Sequence, residues 1–211
     1  MVQGGGRPAP WSARAADLPQ DLTDARLTAL LSGSDDEVGR RLMEGDPLGL
    51  RGVAMARLRE EGLLLSPDRV LTRLAARVVY ESSKLGTVRA FRRWVYRAAP
   101  KVLRELVRED AEADREATES ESDAQLHHGW LAQLLGIPPE LARSASIAFN
   151  RLPRNTRCAF FEVVLLRTPL GQYADTAGLS GGDVEARIAE GSRAISDATG
   201  TGDSMPEGGG S

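Results

Sequence analysis

Arg89, Arg93, Arg97 and Lys101 recur at intervals of four, so they lie close to one face of a helix. Arg92, Arg104 and Arg108 widen that face, and Glu105 is the only acid inside it. Trp94 and Tyr96 sit among these bases. Cations for phosphate, interleaved with π-faces for unstacked bases, are what a single-strand nucleic-acid binder needs. Two other readings stay open for the same residues. One is a solvated basic face with Trp94 in the core, and the other is a surface for an acidic protein segment. The chain carries such a segment: Glu109, Asp110, Glu112, Asp114, Glu116, Glu119, Glu121 and Asp123 follow directly, with Arg115 as the lone base. Folded back, it would screen the basic face at short range.

A second constellation lies near the other end. Over residues 172–188, Ala174 is a small residue where two helices approach, and Gly178 supplies the positive φ of a tight turn. Leu179 plugs the corner, Ser180 caps, and Val184 and Ile188 face the core at i and i+4. This is the pattern of a helix-turn-helix, and equally of a helical hairpin that touches no nucleic acid. Asp183 and Arg187 fall on its second helix. The remaining candidates carry less. His127 and His128 have no cysteine or carboxylate at ligand spacing, so no metal is expected. Cys158 is the only cysteine and reads as a small buried residue, although Arg154 and Arg157 nearby would favour its thiolate. Ser32-Gly33-Ser34 lacks the lysine and context of a phosphate loop. No Ser/His/Asp grouping stands out, so neither an active site nor a cofactor is expected.

The elements that must position these residues are helices. In 211 residues only 5% are aromatic and 27% are charged, and Leu, Ala, Arg and Glu dominate. Residues 160–166 fit a strand or a buried helix by pattern, and their flanks favour helix. The expected class is all-α, with a helical domain over 21–108, an acidic linker over 109–125 and a second helical domain over 126–198. Disordered tails are expected over 1–20 and 199–211, which are rich in Gly, Pro, Ala, Ser and Thr. Ser66-Pro67-Asp68 starts a helix, with a serine cap and proline at the first position. Pro100 should kink or break the helix of the basic face just after Ala98. No apolar run approaches the ~20 residues of a membrane span, and no signal peptide opens the chain, so a cytoplasmic location is expected. The net charge of −3 makes no global case for nucleic acid; that case rests on local charge.

Several of these segments, in this order, carry a resemblance. Leu152-Pro153, an apolar helix and then Tyr173-Ala174-Asp175-Thr176-Ala177-Gly178-Leu179-Ser180 resemble the promoter-recognising C-terminal domain of bacterial sigma factors of the extracytoplasmic-function group. Phe91-Arg92-Arg93-Trp94-Val95-Tyr96-Arg97-Ala98-Ala99 is similar to that family's promoter-melting segment. Ser66-Pro67-Asp68-Arg69-Val70 falls where the family has its polymerase-docking helix. The likeness covers most of 64–110 and 150–196.

The resemblance implies two sigma-like helical domains that bind core RNA polymerase and promoter DNA, with catalysis left to the polymerase. It places Asp68, Val70, Leu71 and Leu74 near the polymerase contact. Arg89, Arg92, Arg93, Trp94, Tyr96, Arg97, Lys101 and Arg104, with Asp183 and Arg187, would then meet DNA. An anti-sigma factor would be a further partner. Two departures stand out: Leu71 and Thr72 replace the docking motif's Gln-Glu pair, and the family's basic recognition helix here carries Glu185, Ala189, Glu190 and Ser192. They favour an alternative, a sigma-like interaction protein that binds an anti-sigma factor or another protein without reading a promoter. A dimeric helix-turn-helix repressor is a third reading, and it predicts a palindromic duplex site.

Overall fold

A computed structural model describes residues 18–116 and 121–200. Of the tails expected over 1–20 and 199–211, residues 1–17 and 201–211 lie outside the described residues, as do residues 117–120 of the expected linker. Ten α-helices and no strand occur among the described residues. The protein is all-α. Contacts divide the chain into two compact units, one of residues 1–60 with 65–109, the other of 61–64 with 110–211.

In the first unit, α1 (Asp24–Leu31), α2 (Asp35–Met43) and α3 (Leu50–Glu61) precede α4 (Pro67–Glu81). Each start has a chemical cause. The hydroxyls of Thr23 and Ser34 accept from Arg26 N and Glu37 N. Asp46, at a φ of 48°, accepts from Leu50 N at 2.7 Å and Arg51 N at 2.9 Å and so starts α3. Ser66 accepts from Arg69 N, with Pro67 at the first position of α4, as its sequence predicts. Leu27, Leu42, Leu48, Leu50, Leu58 and Leu65 are buried here, as are Val70, Leu71, Leu74 and Val78 of α4. At about 1.5–3 kcal/mol for each large aliphatic side chain, this burial fixes which face of α4 looks inward.

The basic residues ride on α5 (Val88–Glu116). Its first turn is closed by Thr87 Oγ1, which accepts from Ala90 N at 3.2 Å. Asp24 of α1 accepts from Val88 N at 2.7 Å, placing a carboxylate at the positive end of the helix dipole. Of the kink or break expected at Pro100, no break occurs: the helix runs through it. Pro100 does remove one backbone donor. Phe91, Val95, Ala98, Ala99, Val102, Leu103 and Leu106 are buried on both sides of it, and that packing outweighs one lost hydrogen bond. The acidic stretch expected as a linker is helical in its first part, since α5 extends to Glu116. The N-terminal boundary also shifts, because Leu18, expected in the tail, is buried.

The second unit contains α6 (Glu121–Leu135), a 3₁₀ turn (Pro139–Leu141), α7 (Ala142–Asn150), α8 (Arg154–Phe160), α9 (Leu170–Ala177) and α10 (Gly181–Thr199). The strand-like stretch is helical, and α8 passes into a π-turn over Phe161–Leu165. It closes where Leu166 N donates to Phe161 O at 3.0 Å. Phe149 and Phe160 meet at 5.0 Å between ring centroids, beneath Gly191 of α10. The segment 61–64 belongs to this unit through buried polar contacts. Asn150 Oδ1 accepts from Leu64 N at 2.8 Å, Ser146 Oγ donates to Leu64 O at 2.5 Å, and Arg157 Nε donates to Glu61 O at 3.1 Å. Gly62 is required there: at a φ of +60°, a Cβ would stand 2.6 Å from the backbone carbon of Arg157. No helix of the described residues is long and apolar enough to cross a membrane.

Candidate nucleic-acid interface

Because α5 buries its apolar stripe, its opposite face is left to water. Arg89, Arg92, Arg93, Arg97, Lys101 and Arg104 are all exposed on it. None of these six forms an ion pair among the described residues. Two acids of the same helix, Glu105 and Glu109, are engaged by α4. Arg77 Nη2 reaches both carboxylate oxygens of Glu105 at 2.7 Å, and Arg73 grips Glu109 with two bonds of 2.9 Å. Arg69 reaches Glu109 at 3.6 Å. Three arginines of α4 thus pair with Glu105 and Glu109, so these two acids do not offset the outward cations. A cleft lined by Lys101, Arg104, Glu105 and Arg108 continues the basic surface toward the C-terminal half of α5.

The two aromatic residues differ. Trp94 is half-buried and stacks on the core residue Phe91, with centroids 6.3 Å apart and planes 19° from parallel. It belongs partly to the core and offers only part of its surface. Tyr96 is 49% exposed. The guanidinium of Arg57 in α3 lies 5.2 Å from its ring centroid, within cation–π range, and Arg57 is ion-paired to Glu60. Arg57 comes from another helix, and no periodicity in the sequence links it to the face.

The docking residues are placed unlike the expectation. Val70, Leu71 and Leu74 are at most 1% exposed, so none of them can meet a partner; they hold α4 to its own core. An apolar stripe on an amphipathic helix serves either a core or a partner, and one sequence does not say which of the two. Asp68 is exposed and pairs with Arg51 at 2.6 Å. With Thr72, Ala76 and Tyr80 it forms the outward row of α4 at i+4 spacing, and Tyr80 is 86% exposed.

In the second unit the turn has the expected geometry. Gly178 adopts a φ of 66°, Leu179 N donates to Ala174 O at 2.9 Å, and Ala174 and Val184 are buried. Ser180 and Asp183 form a reciprocal capping box at the start of α10. These hydrogen bonds to Ser180 hold the Asp183 carboxyl below the ordinary range. Asp183 therefore has a structural task in starting α10, and Arg187 is half-buried. Glu185 is exposed, and Glu190 accepts from Thr156 Oγ1 at 2.7 Å. This helix presents mixed charge with no basic stripe. Cys158 is half-buried, and burial pushes its thiol up against the opposing pull of Arg154 and Arg157. His128 is buried, and the His127 side chain lies outside the described residues. No cluster of His, Cys, Asp and Glu suited to a metal ion occurs among the described residues.

Comparison with family models, with curated proteins and with solved structures finds no match to this chain. The assignment of function therefore rests on its own geometry.

Proposed function

We propose that the chain is a sigma-factor-like protein that binds core RNA polymerase and promoter DNA in a bacterial cytoplasm, with no catalysis of its own. One observation carries the reading. A continuous exposed row of cations on α5 surrounds an open tyrosine, and the acids nearest to it, Glu105 and Glu109, are paired with Arg69, Arg73 and Arg77 of α4. Such a row supplies phosphate contacts and the counterion release that drives binding, while the exposed aromatic supplies stacking. Polymerase docking falls to the outward row of α4, which ends in Tyr80, its largest exposed apolar side chain.

The test is capture of purified bacterial core polymerase by the tagged full-length chain. Stoichiometric capture that Tyr80→Asp abolishes and Arg93→Glu spares supports the proposal. Both residues are exposed, so neither change disturbs the core. Absence of capture from purified core and from native extract overturns it.

The second reading, a sigma-like protein that binds another protein and reads no promoter, is favoured by α10. Its exposed Glu185 repels phosphate, and Asp183 is engaged in the cap. Under that reading, a partner is captured through the second unit while promoter binding is absent.

A further inference from the structure

Past Pro100, a cleft of about 330 Å³ is lined by Lys101, Arg104, Glu105 and Arg108. These four fall at i, i+3, i+4 and i+7, one face of α5 over about two turns. Lys101, Arg104 and Arg108 are exposed. Lys101 and Arg104 form no ion pair among the described residues. The one carboxylate in the wall is occupied, because Arg77 Nη2 of α4 holds both oxygens of Glu105 at 2.7 Å. Three cations thus face the cleft beside an acid that a fourth cation balances. Its described walls include no aromatic and no aliphatic residue.

Charge and wall chemistry together select the ligand. A phosphodiester in a nucleic-acid strand carries one negative charge and would leave most of this positive charge unmatched. A short phosphate chain concentrates several charges and many acceptor oxygens in a small volume. It matches the guanidinium forks of Arg104 and Arg108 and the compact ammonium of Lys101. Ligand pockets that hold a ring are lined mainly by apolar and aromatic groups, so these walls hold the phosphates and not a nucleoside. We propose that this cleft binds a free triphosphate chain, with Lys101, Arg104 and Arg108 on its oxygens. The proposal stands apart from the nucleic-acid reading of α5, although Lys101 and Arg104 belong to both surfaces.

Isothermal titration calorimetry of the full-length chain with inorganic triphosphate, in magnesium-free buffer at about 0.15 M salt, tests it. Fluorescence anisotropy with a short single strand of DNA runs alongside. Triphosphate should bind at a single site, and Lys101→Ala and Arg104→Ala should each weaken it about tenfold. Both side chains are exposed, so neither change disturbs the core. Arg89 lies about 18 Å along the helix from Lys101, beyond the Debye length of about 8 Å at this salt. Arg89→Ala should therefore leave triphosphate binding unchanged. Glu105→Gln should tighten it, by removing the one carboxylate in the wall and releasing Arg77. ATP should bind about as well as inorganic triphosphate, and orthophosphate far more weakly. Equal weakening by Arg89→Ala and Arg104→Ala overturns the cleft, since a diffuse field and not a site would then hold the anion. A strong preference for ATP overturns it too, because groups outside the cleft would then hold the nucleoside. No triphosphate binding, with the single strand still bound, overturns the cleft and leaves the basic face standing. No binding of either overturns both.

Discussion

Gly191 leaves no room for a methyl group. A Cβ there would stand 2.9 Å from Phe160 Cδ2 and 3.3 Å from Phe149 Cε2, and both rings are buried. Gly191→Ala should destabilise the protein by about 1–3 kcal/mol through overpacking, read as a lower urea midpoint at unchanged slope. Cys158 carries a different prediction. Burial raises its thiol above the ordinary value of 9.0, so at neutral pH the reactive thiolate is scarcer than in an unperturbed cysteine. Labelling by a disulfide reagent should be slower than for a free cysteine peptide at pH 7, and its rate should keep rising with pH beyond the point where the peptide levels off. A rate equal to the peptide's would mean that Arg154 and Arg157 prevail over desolvation. Val70 is fully buried, so Val70→Glu should unfold the first unit and would say nothing about docking.

At the scale of elements, the caps and the α4–α5 ion pairs position the candidate face. Ser180→Ala should cost about 1 kcal/mol by removing the hydroxyl that starts α10. The Asp183 half of that box makes the stability pH-dependent. Its carboxyl is held below the ordinary 3.8 by the Ser180 hydrogen bonds, so its contribution is complete above that value. It is lost as pH falls through the lower, folded-state pKa. Acid titration of Asp183→Ala should therefore show a shallower loss of stability below about pH 4 than the parent. Between α4 and α5, the Arg73–Glu109 and Arg77–Glu105 pairs are only partly shielded, with side chains 30–40% exposed. Such pairs contribute about 1 kcal/mol or less. Glu109→Gln should lower stability by no more than that, and its larger effect should be to add positive potential beside the basic face. An affinity for single-stranded DNA lower than the parent's would contradict that account.

For the whole molecule, a net charge of −3 coexists with a strongly basic strip, so binding must be local and steep in salt. If Arg97 contacts a phosphate, Arg97→Ala should reduce the slope of log affinity against log salt by about 0.7 on a single strand. An unchanged slope would remove that residue from the interface. The helical class, the serine cap before α4, the turn at Gly178 and the cation row of α5 were all readable from the chain. Each depends on neighbours within one or two helical turns, which a periodic pattern records. Which way the apolar stripe of α4 turns, the passage of α5 through Pro100, the cation over Tyr96 and the pairing of Glu105 and Glu109 with α4 were decided only by tertiary structure. These depend on residues far apart in the chain meeting in space. Arg57 and Tyr96, or Arg73 and Glu109, share no spacing that a sequence pattern could reveal. Burial can also override a local preference worth a few kcal/mol, as it does at Pro100.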